Sequence, residues 1–81
     1  MKGIVKIINL NRGMAAVETD GGLSVFEILE VTCSTELGDE ISGKLESLGR
    51  ETLINTTKNE SMDVSIEDIH CSKERAIQLT G

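Results

Sequence analysis

Short runs of apolar and β-branched residues alternate with turn-forming residues through the first part of the chain. The first run covers residues 4–10, and a turn containing Asn and Gly follows it up to Gly13. The second run covers residues 14–19, and Asp20-Gly21-Gly22 then supplies residues that tolerate the positive φ of a tight hairpin. A third run covers residues 23–29. Short strands separated by such turns are typical of a small β-sandwich or barrel.

Two further runs follow a polar connection at residues 32–36. Within residues 41–46, apolar or small residues at every second position alternate with polar ones, which is the pattern of a half-buried strand. A turn at residues 48–50 leads into a fifth run at residues 51–57. Three strands, a longer connection and a final hairpin predict an all-β fold, a small five-stranded OB-type barrel, for residues 1–58.

Residues 59–81 have a different character and are expected to form a C-terminal extension that packs on the barrel. Ser65-Ile66-Glu67-Asp68 resembles a capped helix start, and good helix formers follow at residues 73–79. We therefore expect a short helix here. The alternative is a sixth strand at residues 63–66 followed by a shorter helix.

Composition limits the possible functions. The 81 residues suit a single small domain, and Phe26 is the only aromatic residue. Eight Lys and Arg against fourteen Asp and Glu give a net charge of −6, which disfavours strong phosphate-driven binding. A local basic face can still exist on an acidic body. No targeting segment and no apolar run of about 20 residues is present, so we expect a cytoplasmic protein without a membrane partner.

Four segments resemble the cold-shock domain, a five-stranded OB-fold that binds single-stranded nucleic acid. Residues 2–9, Lys-Gly-Ile-Val-Lys-Ile-Ile-Asn, are similar to the opening Lys-Gly-x-Val-Lys-Trp-Phe-Asn of that family. Residues 12–17 occupy the place of its Lys-Gly-Phe-Gly-Phe-Ile motif, and residues 25–29 the place of Val-Phe-Val-His-Phe. Residues 37–42 are similar to its Glu-Gly-Gln-x-Val-x-Phe segment. The resemblance covers residues 1–58 and rests on order and spacing.

The resemblance implies a non-enzymatic module that binds single-stranded RNA or DNA. Base stacking on each aromatic of such a platform contributes about 1–3 kcal/mol. The matching positions here are all aliphatic, so the implied binding is weak: Ile7, Ile8, Met14, Ala16, Ile28 and Leu29. The nucleic-acid-binding residues that it implies are Lys2, Lys6, Ile7, Arg12, Met14, Phe26 and Ile28.

The register of the third strand decides the role of Phe26. The register of the family turns Phe26 outward and Glu27 into the core, where a carboxylate is costly. A slip of one residue buries Phe26 and Ile28 instead. A chain with a single aromatic is expected to bury it, so we predict the second register.

A protein-interaction or self-association module is the alternative function. Ile7, Met14 and Ile28 would then form an exposed aliphatic face, and such faces mark contacts with a protein partner or a second copy. The chain would be a monomer or a weak homodimer. The C-terminal segment offers another cover for that face, through Ile66, Ile69 and Ile77.

No constellation in the sequence indicates an enzyme, a metal site or a cofactor. His70 and Cys71 are adjacent, so their side chains diverge, and we expect a packed thiol beside a surface histidine. Cys33 and Cys71 have no metal-ligand spacing and are expected to be free thiols. The frequent carboxylates fall on turns and on the polar positions of strands, which is typical of a solvated surface.

Overall fold

A computed structural model describes residues 1–30 and 34–81 of the chain. The first residues of the predicted polar connection, and the thiol of Cys33, lie outside the described residues. Six strands and one helix follow one another: β1 (Lys2–Asn9), β2 (Met14–Thr19), β3 (Gly22–Ile28), β4 (Glu40–Ser42), β5 (Gly49–Asn55), β6 (Glu60–Cys71) and α1 (Lys73–Thr80).

The strands form a closed barrel in the order β1-β2-β3-β6-β5-β4, and β4 pairs back with β1. All neighbouring strands are antiparallel. The predicted all-β barrel with a short C-terminal helix is therefore confirmed, although it has six strands instead of five. The additional strand is β6, which lies between β3 and β5. Residues 60–71 thus complete the barrel, and only α1 packs on its outside.

The predicted helix start at Ser65 is wrong, because Ser65 lies in the middle of β6. It pairs with Glu27 of β3 on one side and with Arg50 of β5 on the other. The apolar residues of β6 at every second position point into the barrel, and their burial outweighs the local resemblance to a helix cap. The helix begins after Ser72, whose Oγ accepts a hydrogen bond from the Arg75 backbone N–H at 3.2 Å. The alternative of a strand followed by a shorter helix was the better prediction.

The fourth strand is shorter than predicted and ends at Ser42. Gly43 follows with a φ of 144°, a conformation that L side chains rarely adopt. A Cβ atom at this position would also approach the side-chain Cδ2 of Leu53 to 2.7 Å, so both the backbone conformation and the packing of Leu53 favour glycine. Leu45 nevertheless reaches the core and is fully buried.

The inner core of the barrel contains the only aromatic residue. Phe26 has no exposed surface, and Ile28 beside it is also buried, which confirms the predicted register of the third strand. Glu27 faces solvent, and Val25 points to the outside of the barrel. The inner core comprises Val5, Ala15, Val17, Phe26, Ile28, Ile41, Leu45, Leu53, Met62, Val64 and Ile66.

Buried polar side chains, which we call the polar plug, close one end of the barrel. Asn55 Nδ2 donates hydrogen bonds to Asp39 Oδ2 at 2.9 Å and to Thr35 Oγ1 at 3.0 Å. Lys58 Nζ lies 3.1 Å from Asp39 Oδ2 and 2.7 Å from Glu36 Oε1. The hydrogen bond from Asn55, together with that from the Glu36 backbone N–H, lowers the pKa of the Asp39 carboxyl from its ordinary value. The plug thus ties the segment before β4 to the β5–β6 hairpin.

Candidate interaction face

A β-bulge in β1 places two neighbouring side chains on the outside of the barrel. Val5 pairs with Val17 of β2, and the next pair is Ile7 with Ala16, so Lys6 is the extra residue. The bulge reverses the alternation locally, which is the usual effect of such an insertion. Lys6 and Ile7 consequently both lie on the outer surface, while Val5 lies in the inner core.

The outer surface of β1, β2 and β3 is apolar where α1 packs on it. We call this surface the outer face, and it is formed by Ile7, Met14, Ala16, Leu23 and Val25. Outer surfaces of closed barrels in water are ordinarily polar, so a continuous apolar patch across three strands indicates a contact surface.

The helix α1 covers the outer face with small and aliphatic side chains. Ala76 is completely buried at the contact, and Leu79 packs beside it, while Ile77 points away and is 49% exposed. The predicted cover by the C-terminal segment is therefore present, but Ala76 and Leu79 form it. Ile66 lies in the inner core, and Ile69 packs against that core.

Few polar interactions fix α1 to the barrel. Asn9 Nδ2 donates a hydrogen bond to the Thr80 carbonyl at 3.1 Å, and Arg75 Nε lies 3.4 Å from Asp68 Oδ2 in an exposed ion pair. Isolated helices of this length are marginal in water. The helix therefore depends on its contact with the outer face, and that contact is small.

The thiol of Cys71 lies under this contact. Cys71 is a buried free cysteine that packs in the same cluster as Ala76. Burial, with a smaller contribution from the nearby Asp68 carboxylate, raises the pKa of the thiol. Next to it, His70 is exposed, and its Nδ1 lies 3.0 Å from the Gly21 carbonyl oxygen and 3.4 Å from Glu46 Oε2. The predicted arrangement of a packed thiol beside a surface histidine is confirmed.

A groove opens where α1 begins. It has a volume of about 310 Å³ and is lined by Lys6, Ile7, Glu18, Leu23 and Lys73. Two of the predicted nucleic-acid-binding residues, Lys6 and Ile7, thus meet at one site. Lys73 was not predicted, because only the position of α1 brings it there.

The other cations and Met14 of the predicted site lie elsewhere. Lys2 pairs with Glu40 near the start of β1, at a distance of 3.9 Å. Arg12 lies beside Gly81, at the far end of α1 from the groove. Met14 packs in the cluster under α1. These residues do not form one continuous binding surface.

Phe26 and Ile28 are the two predicted site residues that the structure removes from the surface. Both lie in the inner core, with exposed fractions of 0% and 7%. No base can stack on either side chain in the folded barrel. The register that satisfies burial therefore excludes them from a binding site.

The electrostatics of the described residues provide no broad basic surface. Four of the eight cationic side chains lie within 4.0 Å of a carboxylate oxygen: Lys2, Lys6, Lys58 and Arg75. Within residues 1–30 and 34–81, no three His, Cys, Asp or Glu side chains are grouped so that they could hold a metal ion. In the same part of the chain, α1 is too short and too polar to cross a membrane.

Comparisons with protein families, with curated proteins and with solved structures find no match to this chain. The resemblance to the cold-shock domain therefore stays a prediction.

Proposed function

We propose that this chain is a non-enzymatic protein-binding module whose outer face accepts a helix. The observation that carries the proposal is the docking of α1, with the fully buried Ala76 against an apolar surface of three adjacent strands. In this proposal α1 is the resident occupant, and a helix of a partner protein replaces it. The small side chain of Ala76 is important because it allows a helix backbone to approach the sheet closely.

Replacement of α1 costs little free energy because the helix is short and makes few polar contacts with the barrel. A partner helix longer than the eight residues of α1 can bury more apolar surface, and each buried Å² contributes about 25 cal/mol. It also does not need to break the inner core, since the residues of the two clusters point to opposite sides of the strands. The barrel can therefore stay folded while its outer face changes occupant.

Weak binding of single-stranded RNA or DNA is the less favoured proposal. Of the residues implied by the resemblance, only Lys6 and Ile7 share one groove. Lys6 already lies near Glu18, and the chain carries a net charge of −6. Without aromatic side chains on the surface, the stacking contribution of single-strand binders is missing.

A pair of charge substitutions in full-length protein tests the proposal. Ala76→Lys places an ammonium group in the contact with the outer face, whereas Ile77→Lys adds the same charge on the exposed side of α1. Cys33→Ser in both variants leaves Cys71 as the only thiol. We expect Ala76→Lys alone to increase the alkylation rate of Cys71 by at least tenfold, because the thiol loses its cover.

A binding measurement completes the test. A synthetic peptide with the sequence of residues 72–81 is titrated into labelled Ala76→Lys protein, and the methyl signals of Ile7, Met14 and Leu23 are followed by NMR. We expect saturable shifts in Ala76→Lys and none in Ile77→Lys, where the resident helix occupies the face. Equal behaviour of the two variants, or no peptide binding to either, would contradict the proposal.

A titration with nucleic acid distinguishes the two proposals. The wild-type protein is titrated with a mixed single-stranded oligonucleotide at low and at high salt. Phosphate binding weakens steeply as salt rises, whereas an apolar contact does not. We expect no salt-sensitive shifts at Lys6 or Arg12. Their appearance would favour nucleic-acid binding over the protein-binding proposal.

A further inference from the structure

We propose that the groove at the start of α1 binds an acidic peptide segment that carries an aliphatic side chain. This inference rests on the proposed role in protein binding but not on the replacement of α1. Lys73 belongs to α1, so the groove exists only while the helix is docked. It is thus a second contact surface of the resident state.

The floor of the groove suits an aliphatic side chain. Ile7 is partly exposed beside the edge of α1, and Leu23, which is 7% exposed, lies next to it. The volume of about 310 Å³ lies at the lower end of the range of about 300–1,000 Å³ that is typical of ligand sites. The floor therefore has room for one or two aliphatic side chains of a peptide.

The rim of the groove carries an excess of positive charge on an acidic protein. Lys6 and Lys73 face a single carboxylate, that of Glu18. The Lys6 Nζ–Glu18 Oε1 distance is 4.0 Å, and both side chains are more than half exposed, so the pair contributes little and can be exchanged. Lys73 makes no ion pair within the described part of the chain. A ligand carboxylate is complementary to this rim, and a ligand ammonium group is not.

A peptide segment fits the groove better than a free fatty acid does. The groove lies at the surface beside the edge of the helix, so a long acyl chain would extend beyond the two aliphatic floor residues into water. A peptide places one side chain on the floor and keeps its polar backbone in solvent. Carboxylates next to that side chain can then pair with Lys6 and Lys73, which line the same groove.

Three short peptides with the same Leu-Leu centre and different charges test the charge requirement on the wild-type full-length protein. They are acetyl-Glu-Leu-Leu-Glu-amide, its Gln-Leu-Leu-Gln analogue and its Lys-Leu-Leu-Lys analogue. We expect the acidic peptide alone to shift the methyl signals of Ile7 and Leu23 at roughly millimolar concentration, the range of weak peptide contacts. Binding of the basic analogue with equal affinity would overturn the inference, and so would shifts located away from the groove.

Lysine variants locate the site. We expect Lys6→Gln and Lys73→Gln each to lower the affinity for the acidic peptide about two- to fivefold, which is the effect of one exposed ion pair. Lys44→Gln, outside the groove, is the matched control and is expected to change nothing. An equal loss in Lys44→Gln would indicate unspecific attraction and would contradict the assignment.

Two further arms separate the possible explanations. Octanoate, titrated in place of the peptide, tests the free carboxylate. Tighter binding of octanoate than of the acidic peptide would overturn the choice of a peptide ligand. The Ala76→Lys variant should no longer bind the acidic peptide, but it should bind the peptide of residues 72–81. A failure of the groove and a failure of the proposed function therefore give different results.

Discussion

The barrel carries two apolar clusters on opposite sides of the same strands. They differ in size and in how completely other parts of the structure cover them. Among residues 1–30 and 34–81, eleven fully or nearly fully buried residues form the inner core, including Phe26, and the six strands surround it. In the part of the chain that the structure describes, the outer cluster has five buried residues, of which two are alanines and one is a cysteine. Within the described residues, a single short helix, α1, covers it.

This difference indicates two levels of stability. Opening the inner core requires strand pairs to separate, and therefore the whole barrel must unfold. Opening the outer cluster requires only that α1 leave the outer face. Elements with few buried contacts open at lower free energies than the core does, and binding sites are commonly formed by such elements.

The largest effect is expected from a substitution in the inner core. Phe26→Ala removes the largest fully buried side chain and should lower the free energy of unfolding by about 3–5 kcal/mol. Leu79→Ala, on the partly buried edge of the outer cluster, is the matched control. We expect it to cost far less in urea denaturation, because α1 opens before the barrel does. Equal losses in the two variants would show that the clusters form one cooperative unit.

Loss of a hydrogen bond in the polar plug is expected to lower the free energy of unfolding of the barrel, as a loss in the inner core does. Asn55→Ala removes the hydrogen bond to Thr35 Oγ1 and one of the hydrogen bonds to Asp39 Oδ2, and an unsatisfied buried polar group costs about 1–3 kcal/mol. Urea denaturation measures this loss, and the alkylation rate of Cys71 should stay unchanged. A faster reaction of Cys71 in this variant would show that the plug also holds α1.

Lowering the pH should reduce the contribution of the polar plug to the free energy of unfolding. The folded-state pKa of Asp39 is lowered below its ordinary value of 3.8, mainly by the hydrogen bond from Asn55. Its contribution to stability is therefore fully present above about pH 4 and is lost as the pH falls through the folded-state pKa. We expect Asp39→Asn to be less stable than wild type at pH 7 and to lose less stability between pH 4 and pH 2. Asp68, whose pKa is also lowered, retains its own acid dependence. An unchanged acid slope in Asp39→Asn would contradict the assignment.

The smallest effect is expected at Ser24. Its Oγ is buried and has no hydrogen-bond partner among the described residues. Removing an unsatisfied hydroxyl eliminates a desolvation cost, so Ser24→Ala should leave the free energy of unfolding unchanged or raise it by about 1 kcal/mol. Thermal or urea denaturation measures the change. A clear loss of stability would mean that the hydroxyl has a partner, such as a bound water molecule.

Local signals predicted the parts of the fold that depend on neighbouring residues. The Asp20-Gly21-Gly22 turn joins β2 and β3 as expected, and residues 14–19 form β2 with the predicted bounds. The burial of Phe26 followed from composition, because a chain with one aromatic gains most by burying it. These conclusions needed no knowledge of the other strands.

The parts that depend on distant pairing were not predictable from local signals. The bulge at Lys6 arises from the register against β2, and no residue type marks it. Ser65 matches a helix cap, but β3 and β5 pair with β6 on both sides and determine its conformation. One signal was available for the outer face. β3 has apolar residues on both of its faces: Leu23 and Val25 on one face, and Phe26 and Ile28 on the other. Strands with this pattern are covered on both faces.

Hydrogen exchange of the native protein shows directly whether α1 leaves the outer face while the barrel stays folded. The amide of Ala76, which donates to the carbonyl of the N-cap residue Ser72, is compared with the strand amides of β3. We predict that the Ala76 amide exchanges at a free energy well below that of global unfolding. We also predict that Phe26→Ala accelerates exchange of the β3 amides and leaves exchange of the Ala76 amide unchanged. Exchange of the Ala76 amide only through global unfolding, with equal acceleration by Phe26→Ala, would show that α1 does not open independently of the barrel.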